Sequence, residues 1–174
     1  MKLVLLTHSR ELERPSNTGK LVHAVLENTT DMQVCTVVWQ RKQPCAQLLA
    51  QLATESWALL YPGSETVAAC EVLQSCSIGS LKMPLNRSVK GLVLLDATWQ
   101  EAQKMYNQSP YLHQLTKMLI EQTKPSVYRL RRNQKDYGLC TAECISAILC
   151  YLGLHSEAEQ LLQDLEAMQQ GLGR

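Results

Sequence analysis

An acid, a hydroxyl and a large aromatic ring follow one another where an apolar run of the sequence ends. The stretch reads GLVLLDATWQEA, and in it Asp96, Thr98 and Trp99 come directly after the aliphatic residues 92–95. A carboxylate and a hydroxyl at such a place can accept or pass protons. Ligands of open parallel sheets bind beyond the carboxyl ends of strands, so the stretch is a candidate site. The same rule selects the loop Tyr61–Gly63.

The same residues also fit a purely structural interpretation. Thr98 and Glu101 have the spacing of a capping box, with Thr98 as the N-cap and Glu101 three residues into the helix. Asp96 would then help to satisfy the first helical amides, and Trp99 would pack under the first turn. The spacing alone leaves both interpretations open.

Two further polar stretches begin helices. Arg14–Leu21 is a polar turn whose amides, together with Lys20, could hold an anion, although its glycine spacing is not that of a Walker A loop. Leu139–Glu143 begins another helix with a hydroxyl at its cap.

An arginine cluster, Tyr128–Arg132, has the sequence YRLRR. In a strand, Arg129 and Arg131 would share one face, and Arg132 would lie on the other face or in the next loop. Guanidinium groups bind phosphate and carboxylate well. A ligand-binding cluster and a solvated strand end are both consistent with this pattern.

The apolar patterns of the sequence predict the strands and helices that position these residues. Short continuous apolar runs predict buried strands at Leu3–Thr7, Val34–Trp39, Trp57–Tyr61, Leu92–Leu95 and Val127–Leu130. Helical spacing predicts helices at Thr18–Asn28, Cys45–Thr54, Thr98–Asn107, Tyr111–Gln122, Thr141–Leu152 and Ser156–Gln170. This alternation predicts an α/β fold with a mostly parallel sheet flanked by helices, in a single domain over residues 1–174.

Composition excludes several classes of protein. The chain has 174 residues and a formal net charge of +1, so contact with nucleic acid would need a local basic patch. The seven Cys residues form no CxxC pair, which argues against a zinc knuckle. The opening MKLVLLTH is too short an apolar run for a signal peptide, and no segment reaches transmembrane length. We therefore expect a cytoplasmic protein with reduced thiols and no membrane contact.

The stretches RPSNTGKL, LLYPG, LVLLDATWQEAQKM, YRLRR and LCTAE together resemble one family. They occur in the order and rough spacing of the DTW-domain proteins, from about His8 to about Leu152. That family takes its name from an Asp-x-Thr-Trp motif, which Asp96, Thr98 and Trp99 match. Five motifs in order are more specific than the DTW motif alone.

The resemblance implies a fold and an activity. DTW-domain proteins are aminocarboxypropyltransferases that act on uridine in tRNA. Their fold is SPOUT-like, with a C-terminal knot that binds S-adenosylmethionine. The implied reaction transfers the 3-amino-3-carboxypropyl group to N3 of uridine and releases methylthioadenosine. It needs no metal, and tRNA is the expected partner, with no obligate protein partner evident.

Two features depart from the family pattern. Many relatives carry an N-terminal cysteine-rich segment, and we expect this chain to lack it because its first strand begins almost at once. The usual Leu-Ser-Thr form of the late motif is Leu139-Cys140-Thr141 here. The first departure concerns RNA recognition, whereas the second replaces serine by a near-isostere.

The resemblance also assigns roles to residues. Asp96, Thr98 and Trp99 would be catalytic, with Asp96 as the base at N3–H and the Trp99 indole, together with Ala102, covering the methyl group of the donor. The other expected contacts to S-adenosylmethionine are Thr18, Leu60, Tyr61, Pro62, Gly63, Leu95, Leu139 and Thr141. The expected RNA contacts are Arg129, Arg131, Arg132 and Lys135, although one Arg could instead hold the cofactor carboxylate.

Other functions remain open from the sequence. A SPOUT-type RNA methyltransferase would use the same cofactor, and ribosomal RNA could replace tRNA as substrate. Cys140 at a helix start could be a nucleophile, with His8, His23, His113 or His155 as its base. A non-catalytic binding module is also consistent with the pattern.

Overall fold

The computed structural model describes residues 1–61, 70–75, 79–84, 89–122, 125–130 and 138–172; within 70–84, and at residues 121 and 122, it describes the backbone alone. The strands in these ranges are β1 (Lys2–Thr7), β2 (Gln33–Val38), β3 (Trp57–Leu60), β4 (Cys70–Ser75), β5 (Gly79–Pro84), β6 (Gly91–Asp96) and β7 (Thr116–Gln122). The helices are α1 (Ser9–Leu12), α2 (Gly19–Leu26), α3 (Ala46–Thr54), α4 (Trp99–Asn107), α5 (Pro110–His113), α6 (Thr141–Tyr151) and α7 (His155–Gly171).

The strands form one sheet in the order β2-β1-β6-β3-β7-β5-β4. The five strands from β2 to β7 are parallel, and β5 and β4 continue the sheet in antiparallel pairing. The predicted α/β fold with a mostly parallel sheet is therefore confirmed. The antiparallel pair was not predicted, because the sequence around it indicates turns.

Side chains alternate between two apolar layers, one on each face of the sheet. In β1, Leu3 and Leu5 point into the layer formed with α2, α6 and α7. Val4 and Leu6 point into the layer formed with α3, α4 and α5. Both faces are covered, and this explains why these strands read as continuous apolar runs.

The start of β6 depends on one close approach. Gly91 is paired with Trp57 across β3 and β6, and a Cβ added at Gly91 would lie 2.4 Å from the Trp57 ring. Glycine lets the buried indole approach the backbone of the neighbouring strand closely. The carboxyl end of the same strand carries Asp96.

Two predicted elements were wrong. The helix predicted at Tyr111–Gln122 is instead the short α5 followed by β7. In the run from Thr116 to Ile120, Met118 is buried and the other side chains are half-buried. The run fills the gap between β3 and β5, so tertiary pairing overrode the helical spacing. The strand predicted at Val127–Leu130 is not in the sheet. Its backbone amides bond to side chains, as described below.

The other predictions agree closely with the structure. The strands predicted around β1, β2, β3 and β6 match within one residue at each end. The helices predicted around α2, α3, α4, α6 and α7 match within two residues. The short α1 was not predicted. No helix in the described residues is long and apolar enough to cross a membrane.

Candidate active site

The carboxyl ends of the central strands bring the candidate residues to one edge of the sheet. Thr7, the last residue of β1, is the register partner of Asp96, the last residue of β6. The His8 amide donates to the Asp96 carbonyl over 3.1 Å. This edge is where ligands of open parallel sheets bind.

The Asp96 carboxylate is the centre of a buried hydrogen-bond network. Only 4% of the residue is exposed. Its Oδ1 accepts a hydrogen bond from Thr141 Oγ1 over 2.7 Å. Its Oδ2 accepts from Asn17 Nδ2 over 3.3 Å and lies 3.2 Å from Thr7 Oγ1, a hydroxyl whose other acceptor is the Leu5 carbonyl. One carboxylate thus joins the end of β1, the turn before α2 and the start of α6.

Asn17 orders the turn before α2. Its Nδ2 also donates to the Glu11 carbonyl over 2.7 Å, and its Oδ1 accepts from the Gly19 amide over 2.6 Å. A Cβ at Gly19 would lie 2.8 Å from Asp96 Oδ2 and 2.9 Å from Asn17 Oδ1. The close packing of the two polar groups therefore requires glycine at position 19.

Thr18 joins the starts of two helices. Its buried Oγ1 accepts a hydrogen bond from the Ala142 amide over 3.3 Å. Because Thr141 bonds to Asp96, the predicted residues Thr18, Asp96 and Thr141 form one cluster. The structure therefore brings these three predicted site residues together.

Thr98 and Glu101 form the predicted capping box of α4. Thr98 Oγ1 lies 3.4 Å from the Glu101 amide, and the Thr98 amide donates to Glu101 Oε2 over 3.2 Å. Burial acts to raise the pKa of Glu101. Hydrogen bonds from Thr98, together with the nearby His8 and Arg14 side chains, outweigh that effect and lower the pKa of Glu101 below its ordinary value.

Trp99 is half-buried at the start of α4, whereas Ala102 and Leu95 lie largely inside the apolar layer. Their exposed fractions are 6% and 8%. Trp99 therefore offers more surface to a ligand than either of these two neighbours.

Tyr61 directly follows β3, further along the same edge. Its ring stacks on Tyr106 with centroids 4.4 Å apart and planes 17° apart. Burial, and secondarily Tyr106, raises the pKa of Tyr61, while Lys117 acts in the opposite direction. The preceding Leu60 packs against the opposite apolar layer. The two predicted neighbours therefore face different sides of the sheet.

The segment 125–130 is held by side chains of the C-terminal helices. The buried Glu143 accepts from Ser126 Oγ over 2.7 Å and from the Val127 amide over 2.8 Å. The Arg129 amide donates to Gln169 Oε1 over 2.6 Å. These bonds take the place of strand pairing, and the Arg129 side chain is exposed.

Other predicted residues are placed only in part or not at all. Leu139 is half-buried two residues before α6. The predicted contacts Pro62, Gly63, Arg131, Arg132 and Lys135 lie outside the described residues. The structure thus does not test the arginine cluster beyond Arg129.

The alternative Cys140 nucleophile does not fit its surroundings. Only 1% of Cys140 is exposed. Burial, with the nearby Glu143 carboxylate, raises the pKa of the Cys140 thiol well above its ordinary value. A reactive cysteine needs an accessible thiol and a lowered pKa. The geometry therefore argues against cysteine catalysis here.

Comparison with known sequences decides the family. The model of the DTW domain matches residues 1–172. The chain belongs to the DTW domain family. It is also 28% identical over 165 residues to the tRNA-uridine aminocarboxypropyltransferase 2 of Drosophila melanogaster, a match that covers 92% of this chain and 60% of the fly protein. No solved structure gives a significant match.

Three residues of this DTW domain were missed as part of the site. The only sequence signal for Thr7 was its position at the end of an apolar run. The only signal for Asn17 was the glycine two residues later. Glu143 lies three residues after Cys140, which is the spacing of a capping box, and its carboxylate accepts a hydrogen bond from the Cys140 amide over 2.8 Å. Its second role, towards Val127, joins residues 16 positions apart and left no local pattern.

Proposed function

We propose that this DTW domain transfers the 3-amino-3-carboxypropyl group of S-adenosylmethionine to N3 of a uridine in tRNA, releasing methylthioadenosine. The family match over residues 1–172 and the name of the fly relative support the proposal. One observation carries it at the level of residues. Three separated family motifs, containing Asn17, Asp96 and Thr141, meet at the Asp96 carboxylate.

The chemistry requires a nucleophile and control over which carbon reacts. N3 of uridine forms a bond to the Cγ of the methionine moiety, the Cγ–S bond breaks, and its electron pair neutralises the sulfonium. The proton on N3 must leave, and a positioned base would contribute ~10²–10⁴-fold. A half-buried indole at Trp99, with Ala102 behind it, is suited to cover the methyl group and to lie beside the sulfonium charge.

We assign Asp96 first to holding the site together. Its oxygens already meet Thr141, Asn17 and Thr7, so the carboxylate fixes the starts of two helices against the sheet. Alignment of the reactants can lower the activation barrier by roughly 7–11 kcal/mol, so positioning alone contributes strongly to catalysis. The role of Asp96 as the base at N3–H stays a prediction.

The remaining assignments follow the family picture. Thr18 and Thr141 would hold the methionine end, and Tyr61, with Leu60, Pro62, Gly63, Leu95 and Leu139, the adenosine. The half-exposed Tyr61 ring at the sheet edge fits an adenine contact. Arg129, Arg131, Arg132 and Lys135 would bind the RNA backbone. The SPOUT-like knot, the catalytic role of Thr98 and a cytoplasmic location belong to the same proposal.

Two labelled donors test the proposal. Purified protein is incubated with unmodified tRNA and S-adenosylmethionine labelled either in the carboxyl carbon or in the methyl group. Carboxyl label alone in the RNA supports aminocarboxypropyl transfer. Methyl label alone identifies a methyltransferase and overturns the assignment of Trp99. If neither label is transferred to tRNA or to ribosomal RNA, the proposed activity is wrong for this chain.

A further inference from the structure

A pair of aromatic rings lies on the other side of Asp96 from Tyr61. His8 directly follows β1, and Trp39 directly follows β2. The Trp39 backbone amide donates to the Thr7 carbonyl over 2.9 Å. Their ring centroids are 5.8 Å apart and the planes are 25° apart, so the rings stack with an offset. The sheet order places β6 and Asp96 between this pair and Tyr61.

Both rings are fixed before any ligand binds. Trp39 Nε1 donates to the buried Ser109 Oγ over 2.9 Å, which ties the indole to the turn before α5. His8 Nδ1 accepts from the Arg10 amide over 3.3 Å and lies 3.8 Å from Glu101 Oε1. A rigid aromatic surface loses little entropy when it takes up a planar ligand.

A cation lies near His8, since Arg10 and His8 approach the same oxygen of Glu101. The Arg10 guanidinium lies 3.8 Å from Glu101 Oε1, and its side chain is 75% exposed. Trp39 is only half-buried. His8, which stacks against it, is more buried, with 14% of its side chain exposed. An aromatic surface with an adjacent cation is the arrangement that holds an unstacked base and its phosphate.

We infer that the Trp39–His8 pair is the surface on which an unstacked base of the acceptor RNA stacks, with Arg10 contacting the neighbouring phosphate. The inference rests on the proposed function and specifies its acceptor side. The donor would lie towards Tyr61 and the base towards Trp39, with Asp96 between them. This arrangement lets the two substrates approach from opposite directions along one sheet edge.

Binding of short RNA probes to the full chain tests this surface. The probes are fluorescent hexauridylate and an abasic ribose-phosphate strand of the same length, followed by anisotropy. Base–aromatic stacking is worth roughly 1–3 kcal/mol per base, so Trp39→Leu should weaken hexauridylate binding about 5- to 150-fold. It should leave binding of the abasic strand unchanged. Arg10→Gln should weaken binding of both probes.

Tyr151→Leu is the matched control. Tyr151 is a half-buried aromatic at the end of α6 remote from Asp96, since α6 begins at Thr141. Its loss should leave the affinity for both probes unchanged. Equal hexauridylate affinity in the wild type and a folded Trp39→Leu variant would overturn the inference.

Tryptophan emission gives a second measurement that does not depend on the Leu variant folding. Trp57 is 3% exposed and should not respond, so in a Trp99→Phe variant hexauridylate should quench emission from Trp39. Absence of quenching there would also overturn the inference.

The labelled-transfer assay separates this inference from the proposed function. If Trp39→Leu transfers the carboxyl label with an unchanged KM for tRNA, the stacking inference is wrong and the proposed reaction is supported. If hexauridylate binding depends on Trp39 but no label is transferred, the proposed reaction is wrong and the stacking inference is supported.

Discussion

Thr141 Oγ1 donates a 2.7 Å hydrogen bond to Asp96 Oδ1 across 45 residues of sequence. Both groups are buried, with 5% and 4% of their surface exposed. The bond fixes the first turn of α6 against the carboxyl end of β6. It also determines which Asp96 oxygen faces the turn that contains Asn17.

Replacing Thr141 by Val should therefore damage the site. Val keeps the branched shape but removes the hydroxyl, which leaves a buried carboxylate oxygen without its donor. Such a loss costs roughly 1–3 kcal/mol, and we expect unfolding to need correspondingly less denaturant. Thr141→Ser keeps the hydroxyl and should retain most of the transfer rate. Equal stability and rate in Val and Ser variants would contradict the importance of this bond.

Gly19→Ala tests the packing of Asp96 against Asn17. The new methyl group would lie 2.8 Å from Asp96 Oδ2, and overpacking of this kind costs roughly 1–3 kcal/mol. We expect a lower thermal midpoint together with slower transfer. Gly171→Ala is the control, because its Cβ would meet nothing within 4 Å and Ala favours a helix. If the two variants behave alike, position 19 is not crowded in the protein.

The Glu101 carboxyl should contribute stability that depends on pH. Its pKa is lower in the folded chain than the ordinary value of about 4.3, because Thr98, His8 and Arg14 together outweigh burial. The contribution is then present above about pH 4.3 and is lost as the pH falls through the folded pKa. Urea unfolding at several pH values should show wild type more stable than Glu101→Gln at pH 7. The difference should shrink below pH 4; a constant difference would argue against the lowered pKa.

Cys140→Ser should keep the proposed transfer activity. The thiol is buried and its raised pKa keeps it protonated, so it has no nucleophilic role to lose. Serine is also slightly smaller and leaves the Cys140 amide free to donate to Glu143 as before. Alkylation of the native protein should label the exposed Cys35 before Cys140. Loss of activity with intact folding would revive the cysteine mechanism.

The parallel part of the fold could be predicted because its signals are local. Leu3 to Leu6 are all buried, two on each face, so the run of aliphatic residues itself indicated a covered strand. Lys117 and Ile120 are only half-buried, and their helical spacing concealed a strand between β3 and β5. The sequence of segment 127–130 is typical of a strand, yet the Val127 and Arg129 amides donate to Glu143 and Gln169 on later helices.

The site could be predicted only as separate pieces. The capping box of Thr98 and Glu101 lies within four residues and is visible in the sequence. The bond from Asn17 to Asp96 spans 79 residues, and the stack of His8 on Trp39 joins two different strands. Contacts of that range depend on the strand order, which spacing alone did not give.

The order in which the chain is synthesised bears on the Asp96 network. Its donors lie 89 and 79 residues before the carboxylate and 45 residues after it. β1 pairs with β2 early in the sequence, but its other edge stays open until β6 has emerged from the ribosome. The first turn of α6 comes later still. A nascent chain therefore carries an incomplete Asp96 network until Thr141 has emerged from the ribosome.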